Sequence, residues 1–206
     1  MEYSMKNGNL RVVYIRPSTY DDEGYVYRYW RGIVPSNTVA CLRSLTLAVA
    51  ESGELGQDVQ TSVVTFDETV ERLPMGRILR WAKDRDTRTV VALAGVQTNQ
   101  FPRATDLALR FRAAGLPVII GGFHVSGILA LFNEPNRELQ HLIDHGVTLI
   151  KGEAEVPGAL AEILRDALHG RLKPLYDIKG YPDLRHAPIP EPDTKIMGKF
   201  VVKDIS

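Results

Sequence analysis

Residues 89–122 have the sequence TVVALAGVQTNQFPRATDLALRFRAAGLPVIIGG, in which two apolar strands flank one amphipathic helix. The strands predicted at 89–94 and 117–120 show little alternation of polar and apolar residues, as in strands covered on both faces. The helix predicted at about 101–114 has apolar residues at helical spacing, Ala104, Leu107, Ala108 and Phe111. Gly115 follows as its stop. This stretch therefore predicts one strand–helix–strand unit of a parallel sheet.

The same alternation extends in both directions along the chain. Further strands are predicted at 11–15, 59–66 and 147–150, and a last clear helix is predicted at about 153–168. Five strands, each followed by a helix, indicate an α/β fold with a five-stranded parallel sheet and helices on both faces. We expect the flavodoxin-like, Rossmann-like strand order, in which ligands bind at the carboxyl ends of the strands.

Composition limits the classes of protein to which the chain can belong. Of its 206 residues, 44% are hydrophobic and 24% are charged, typical of one sizeable globular domain with a tail. Lys and Arg number 25 and Asp and Glu also number 25, so no basic nucleic-acid footprint is indicated. No apolar run is long enough for a membrane span, and residues 1–9 lack a signal-peptide core. The single cysteine, Cys41, predicts a reducing, cytoplasmic location and excludes an all-cysteine metal site.

The pattern changes after Gly170. We predict a domain at residues 10–170, followed at 171–206 by a Pro-rich linker or strap, with one more short strand at 200–202. The prolines of this extension are Pro174, Pro182, Pro188, Pro190 and Pro192.

Glycines mark the carboxyl ends of three predicted strands, at Gly95, Gly121, Gly122 and Gly152. They either let a large ligand approach the backbone or merely turn strands into helices. No phosphate-binding P-loop, dinucleotide fingerprint or nucleophile elbow occurs in the chain.

These loops carry a resemblance to a known family. The segments are GVQTN at 95–99, RA at 103–104, GLPVIIGGFH at 115–124 and KGEAE at 151–155. In this order they resemble the N-terminal cobalamin-binding domain of cobalamin-dependent radical S-adenosylmethionine enzymes, over about residues 10–170. The resemblance implies that the chain binds cobalamin for methyl transfer or radical rearrangement in the full enzyme. It places no catalytic residue in this chain.

Two departures refine that expectation. The family's Cys-x3-Cys-x2-Cys motif is absent, so the iron–sulfur cluster and S-adenosylmethionine would belong to a C-terminal radical domain, which is the expected partner. The Asp-x-His-x-x-Gly motif of many other cobalamin proteins is absent after the first strand. His124 and Gly127 match its last half, but Gly122 stands in place of the Asp. We therefore expect cobalt without a protein His ligand, and no protein metal ligand.

The resemblance implies cofactor contacts from the strand-end loops. The residues are Ser18, Thr19, Asp67, Gly95, Val96, Gln97, Thr98, Asn99, Gly121, Gly122, Phe123, His124, Gly152 and Glu153.

Structural roles remain open for several of these side chains. Residues 97–99 either hold corrin amides, or Thr98 or Asn99 caps a helix. His124 either contacts the cofactor or packs in the first turn of a helix, and Glu153 and Glu155 suit a helix N-terminus. A tyrosine-rich loop at 20–30 either stacks on a corrin, meets a second domain or packs ordinarily.

Two other functions are kept as alternatives. In the first, the fold is a degenerate scaffold that binds no cobalamin and mediates domain or partner contacts. A small enzyme with another nucleotide-like ligand at the same edge is disfavoured, because no phosphate loop is present. Neither a nucleic acid nor a membrane is an expected partner.

Overall fold

One parallel sheet of six strands organises the computed structural model, which describes residues 8–202. The strands are β1 (Asn9–Arg16), β2 (Thr61–Asp67), β3 (Thr87–Leu93), β4 (Val118–Gly121), β5 (Val147–Lys151) and β6 (Leu175–Asp177). Their order is β2-β1-β3-β4-β5-β6, and every neighbouring pair is parallel. The first five strands thus have the predicted flavodoxin-like order. Residues 1–7, which belong to the segment predicted to lack a signal-peptide core, and residues 203–206 of the extension lie outside the described residues.

Helices cover both faces of the sheet, as predicted. They are α1 (Asn37–Glu51), α2 (Met75–Arg80), α3 (Phe101–Ala113), α4 (Phe123–Phe132), α5 (Arg137–Asp144), α6 (Ala159–His169) and α7 (Thr194–Met197). Successive side chains of β1 point to opposite faces. Val12 and Tyr14 pack with α1 and α6 in one core layer, whereas Val13 and Ile15 pack with α2 to α5 in the other.

The prediction of five strands was wrong by one. β6 pairs with β5 within the segment that was predicted to be a linker or strap. The main-chain N–H of Leu149 donates to the Pro174 carbonyl at 2.9 Å, and that of Ile178 donates to the Lys151 carbonyl at 2.9 Å. The strand is only three residues long and directly follows a proline, so it shows no periodic pattern.

Helix α6 begins six residues later than predicted. Pro157 and Gly158 precede it, and Gly158 adopts a positive φ of 79° that L side chains rarely take. Residues 153–155 therefore lie in the loop between β5 and α6. The interpretation of Glu153 and Glu155 as residues of a helix N-terminus is wrong.

The segment 178–202, here called the C-terminal strap, runs from β6 at one edge of the sheet to β2 at the other. The Glu191 N–H donates to Ser44 Oγ of α1 at 2.9 Å, and Thr65 of β2 donates to Asp193 at 3.4 Å. Phe200 is 1% exposed and forms one parallel bridge with Gly32. The strand predicted at 200–202 is therefore a single bridge.

Residues 20–30, here called the aromatic loop, follow β1. An antiparallel bridge between Tyr20 and Val26 closes it into a hairpin-like turn. The Asp21 carboxylate accepts hydrogen bonds from the N–H groups of Glu23 and Tyr25, at 3.1 and 2.8 Å. The turn is thus held by backbone pairing and by the Asp21 carboxylate, at the carboxyl edge of the sheet.

Candidate functional site

A cavity of about 210 Å³ lies between the sheet and helices α1 and α6, and it extends to the carboxyl ends of β3, β4 and β5. Its walls are mostly apolar side chains, namely Val12, Tyr14, Val90, Ala92, Ile119, Ile150, Leu160, Ile163 and Leu164. Small-molecule sites typically measure roughly 300–1,000 Å³. The cavity is therefore suited to a ring-sized part of a ligand and not to a whole macrocycle.

Five of the predicted site residues line this cavity. They are Gly95, Gly121, Gly122, Gly152 and Glu153. The other nine lie outside its lining, so the structure divides the predicted set into a cavity group and a surrounding group.

Two neighbouring glycines at the carboxyl end of β4 have different structural roles. Gly122 has φ 141°, and a Cβ there would lie 2.2 Å from the backbone nitrogen of Val96. The loops after β3 and β4 are also joined by the Val96 N–H, which donates to the Gly121 carbonyl at 3.1 Å. A Cβ on Gly121 would make ordinary contact with Ile150 at 3.4 Å. Gly122 is thus required by loop packing, whereas Gly121 leaves space inside the cavity.

Two further cavity glycines have structural reasons of their own. Gly152 has φ 99°, and a Cβ there would lie 2.5 Å from the carbonyl oxygen of Ile178 in the C-terminal strap. Gly95 has φ 66° and would bring a Cβ to 3.3 Å from Thr38. Both positions favour glycine without any ligand.

One end of the cavity is lined by Cys41, Glu153 and Glu155 and is here called its mouth. It contains a hydrogen bond that the sequence did not reveal. Cys41 of α1 donates its thiol to Glu155 Oε1 at 3.1 Å. Burial, followed by the hydrogen bond to Glu155, raises the pKa of Cys41 to about 12. The thiol therefore stays protonated and keeps donating. No local sequence pattern connects Cys41 with a residue so far along the chain.

Tyr14, in the cavity wall, has its hydroxyl satisfied by the protein. Its Oη lies 2.7 Å from Thr46 Oγ1, and Thr46 in turn donates to the Leu42 carbonyl at 2.7 Å. Tyr14 is therefore the donor to Thr46, because a hydroxyl has only one proton. Burial raises the pKa of Tyr14. The wall at this position is a neutral aromatic ring.

The cavity has no basic side chain among the described residues that line it. Arg and Lys are the side chains that usually hold phosphate. The lining thus suits a neutral ring and offers no side-chain cation for a phosphate. An uncharged aromatic base, such as that of the cobalamin tail, fits this chemistry and size, and the corrin macrocycle would have to remain outside.

Three predicted contacts lie on the turn that precedes α3. Gln97, Thr98 and Asn99 are exposed. The Gln97 N–H donates to the side-chain oxygen of Gln100 at 3.0 Å, as part of a reciprocal capping arrangement. The capping residue is thus Gln97 and not Thr98 or Asn99, whose side chains lie at the surface.

His124 lies outside the cavity lining, in the core layer that contains α3. Its ring stacks on Phe101 at a centroid distance of 4.0 Å, and its Nδ1 lies 3.4 Å from Thr98 Oγ1. Burial lowers the pKa of His124, opposed by the charge of Glu138. The neighbouring Phe123 is 68% exposed.

Ser18, Thr19 and Asp67 hold the base of the aromatic loop. The Ser18 N–H donates to Glu68 Oε2 at 3.2 Å, and the Thr19 carbonyl accepts from the Tyr27 N–H at 2.9 Å. Asp67 pairs with Arg16 at 3.2 Å. All three therefore have partners within the protein.

Glu68 directly follows β2 and is not among the predicted cofactor contacts. It is fully buried, and Arg103 binds it through Nη2 at 2.7 Å and through Nε at 3.1 Å. Arg28 of the aromatic loop lies 3.6 Å from the same carboxylate. This buried charge cluster ties the loops after β1 and β2 to α3, and it gives the Arg-Ala pair of the motif a structural role.

The aromatic loop presents large apolar side chains to the surface. Trp30 is 90% exposed and Tyr25 is 71% exposed. Tyr27 and Tyr29 meet edge to face, with ring centroids 4.9 Å apart. Exposed aromatic groups of this kind occur at binding surfaces.

Two absences apply to residues 8–202. No group of three or more His, Cys, Asp or Glu side chains there is placed to hold a metal ion. Within the same range, no helix has the length and apolar character needed to cross a membrane.

Comparisons with known proteins give little further information. No family model matches the chain, and no curated protein is significantly similar to it. Among solved structures, the crystal structure of Streptococcus suis SuiB bound to the precursor peptide SuiA matches at 15% identity and a TM-score of 0.30. The match covers 74% of this chain but only 41% of the SuiB chain. At that TM-score, the likeness assigns neither a fold nor a function to this chain.

Proposed function

We propose that the chain binds cobalamin and is the cofactor-binding part of a radical S-adenosylmethionine enzyme, the class that its motifs resemble. The observation that carries this proposal is the apolar cavity at the carboxyl edge of the sheet. This edge is where α/β sheets of this order bind their ligands. The uncharged base of the cofactor tail would lie between Val12, Val90 and Leu164.

The residues of this chain would bind and orient the cofactor. The apolar walls would exclude water from the tail, and Gly121 would leave room for it beside Ile150. When bound, cobalamin supplies methyl transfer or assists a radical rearrangement, chemistry that belongs to the cofactor. The iron–sulfur cluster and S-adenosylmethionine would be held by a catalytic domain with the cysteine motif that this chain lacks.

The proposal includes cobalt without a protein imidazole ligand. His124 is engaged with Phe101 and Thr98 in the opposite core layer.

The test is retention of hydroxocobalamin by the purified chain. The protein is incubated with the cofactor, separated from the free cofactor by gel filtration and examined by ultraviolet–visible absorption. We expect near-stoichiometric corrin absorbance, with band positions typical of a detached lower base. A protein that elutes colourless would contradict the proposal for this chain.

The matched variants are Gly121→Val and Gly127→Val. Valine at 121 adds a side chain to a residue that lines the cavity beside Ile150, in an extended strand that accepts β-branched residues. Gly127 lies on the exposed side of α4, where a Cβ meets nothing within 4 Å. Gly121→Val should lose the cofactor while circular dichroism shows an unchanged fold, and Gly127→Val should retain it. Equal retention by both variants would exclude this cavity as the site.

A non-binding interaction scaffold remains the second candidate. It is favoured by the exposure of Trp30 and Tyr25, which suits contact with another protein domain. The same retention test distinguishes the two, because a scaffold would retain no corrin at any cofactor concentration.

A further inference from the structure

The mouth of the cavity carries two carboxylates without a compensating charge. Glu153 and Glu155 both line it, and no Lys, Arg or His is among the described lining residues. Within the described part of the chain, Glu155 has one side-chain partner, the neutral thiol of Cys41 at 3.1 Å. Its second oxygen, Oε2, is left to accept a hydrogen bond from a ligand.

The two carboxylates differ in how firmly they are held. Glu153 is exposed, whereas Glu155 is partly buried and anchored to α1 through Cys41. Because the pKa of Cys41 is raised to about 12, the thiol remains a donor throughout the neutral range. Glu155 is thus the acceptor with a defined position.

We infer that Glu155 determines which corrinoids bind at the mouth of the cavity, favouring those whose side chains end in neutral primary amides over those that carry carboxylates. This inference rests on the proposed cobalamin binding. A primary amide donates N–H to a carboxylate oxygen, whereas a second carboxylate cannot donate and is repelled. Cys41 acts as a positioning residue for Glu155. The phosphate of the tail is common to the compared corrinoids, so its contribution cancels.

The experiment compares dissociation constants for hydroxocobalamin and for the cobalamin monocarboxylic acids, in which one propionamide has become a propionate. We expect at least one acid isomer to bind the wild-type chain about fivefold more weakly, which corresponds to ~1 kcal/mol of repulsion between two charges near 4 Å in water. The difference should shrink as the salt concentration rises, because exposed charges are screened.

Variants at the mouth of the cavity test whether Glu155 causes the weaker binding of the acid isomer. Glu155→Gln should bind the acid isomer and hydroxocobalamin with similar affinity, whereas Glu134→Gln, at an exposed position outside the cavity lining, should behave as wild type. Cys41→Ser keeps a donor and should retain the discrimination, while Cys41→Ala should reduce it.

The outcomes distinguish failure of this inference from failure of the proposed function. Wild-type protein that binds hydroxocobalamin and all acid isomers equally would overturn the inference and leave the proposed function standing. So would discrimination that persists unchanged in Glu155→Gln. Failure of the wild-type chain to retain hydroxocobalamin would overturn both.

Discussion

Glu68 is completely buried, and its Oε1 lies 2.7 Å from Nη2 of Arg103. The same carboxylate accepts the Ser18 N–H and lies near Arg28, so one side chain joins three parts of the carboxyl edge. The aromatic loop is therefore positioned by a carboxylate that has no contact with water.

Removal of that charge should be costly. Glu68→Gln leaves Arg103 partly buried without its counter-ion, and loss of one partner of a buried pair costs roughly 3–5 kcal/mol. Urea denaturation followed by circular dichroism measures the loss. Glu162→Gln is the control, because its ion pair with Lys173 is exposed and should leave the unfolding midpoint unchanged. Similar midpoints for both variants would contradict the structural role of Glu68.

Alanine at two glycines should have opposite effects. Gly122→Ala introduces a Cβ 2.2 Å from Val96 N at a positive φ, so unfolding should become easier by more than ~1 kcal/mol. Gly127→Ala, inside α4 with open space around it, should stabilise the chain by roughly 0.5–1 kcal/mol. Thermal unfolding of both variants shows whether each substitution raises or lowers the stability. Equal stability of Gly122→Ala and wild type would refute the close approach of the two loops.

His124 should make the fold sensitive to acid. Burial lowers its pKa in the folded state, so the unfolded chain binds the proton at higher pH. The stability contributed by neutral His124 is fully present above the ordinary imidazole pKa of ~6.5 and is lost as the pH falls from there to the lowered value. Unfolding free energies at several pH values across that range should fall less steeply for His124→Gln than for wild type. Parallel curves would show that His124 is not the responsible group.

Cys41 should react slowly with alkylating reagents. The thiolate is the reactive form, and a pKa of about 12 makes it scarce near neutral pH. Alkylation by iodoacetamide should be slower by a factor of about a hundred or more in the native chain than in the urea-unfolded chain. Mass spectrometry gives an unambiguous rate, because Cys41 is the only cysteine. Equal rates in the two states would contradict its burial and its bond to Glu155.

The first five strands could be predicted because each is a run of apolar or β-branched residues between clear turn signals, and their order follows from right-handed crossovers between parallel strands. β6 could not, since Leu175–Asp177 is too short to show periodicity and is stabilised by pairing with β5. The late start of α6 could in principle have been predicted from the sequence. Pro157 and Gly158 mark a helix boundary, but the acidic residues before them resembled a helix N-terminus.

The candidate site, too, could be predicted from the sequence only in part. The loops that carry Gly95, Gly121 and Gly152 were predictable because parallel strands end at one edge. The partners of Cys41 and Glu68 were not, since each contact joins residues far apart in the sequence. The direction of His124 depends on the turn at Gly122, whose conformation no periodic pattern reports.

The bridge between Gly32 and Phe200 has a consequence for biosynthesis. Gly32 donates its N–H to the Lys199 carbonyl and accepts from the Val201 N–H, and its Cα packs against the Phe200 ring. A ribosome releases the chain from its N-terminus, so the strands of the sheet emerge well before these partners do. The backbone at Gly32 therefore reaches its final pairing only in chains translated as far as Val201. In nascent chains that stall earlier, the N–H and carbonyl groups of Gly32 lack these two partners.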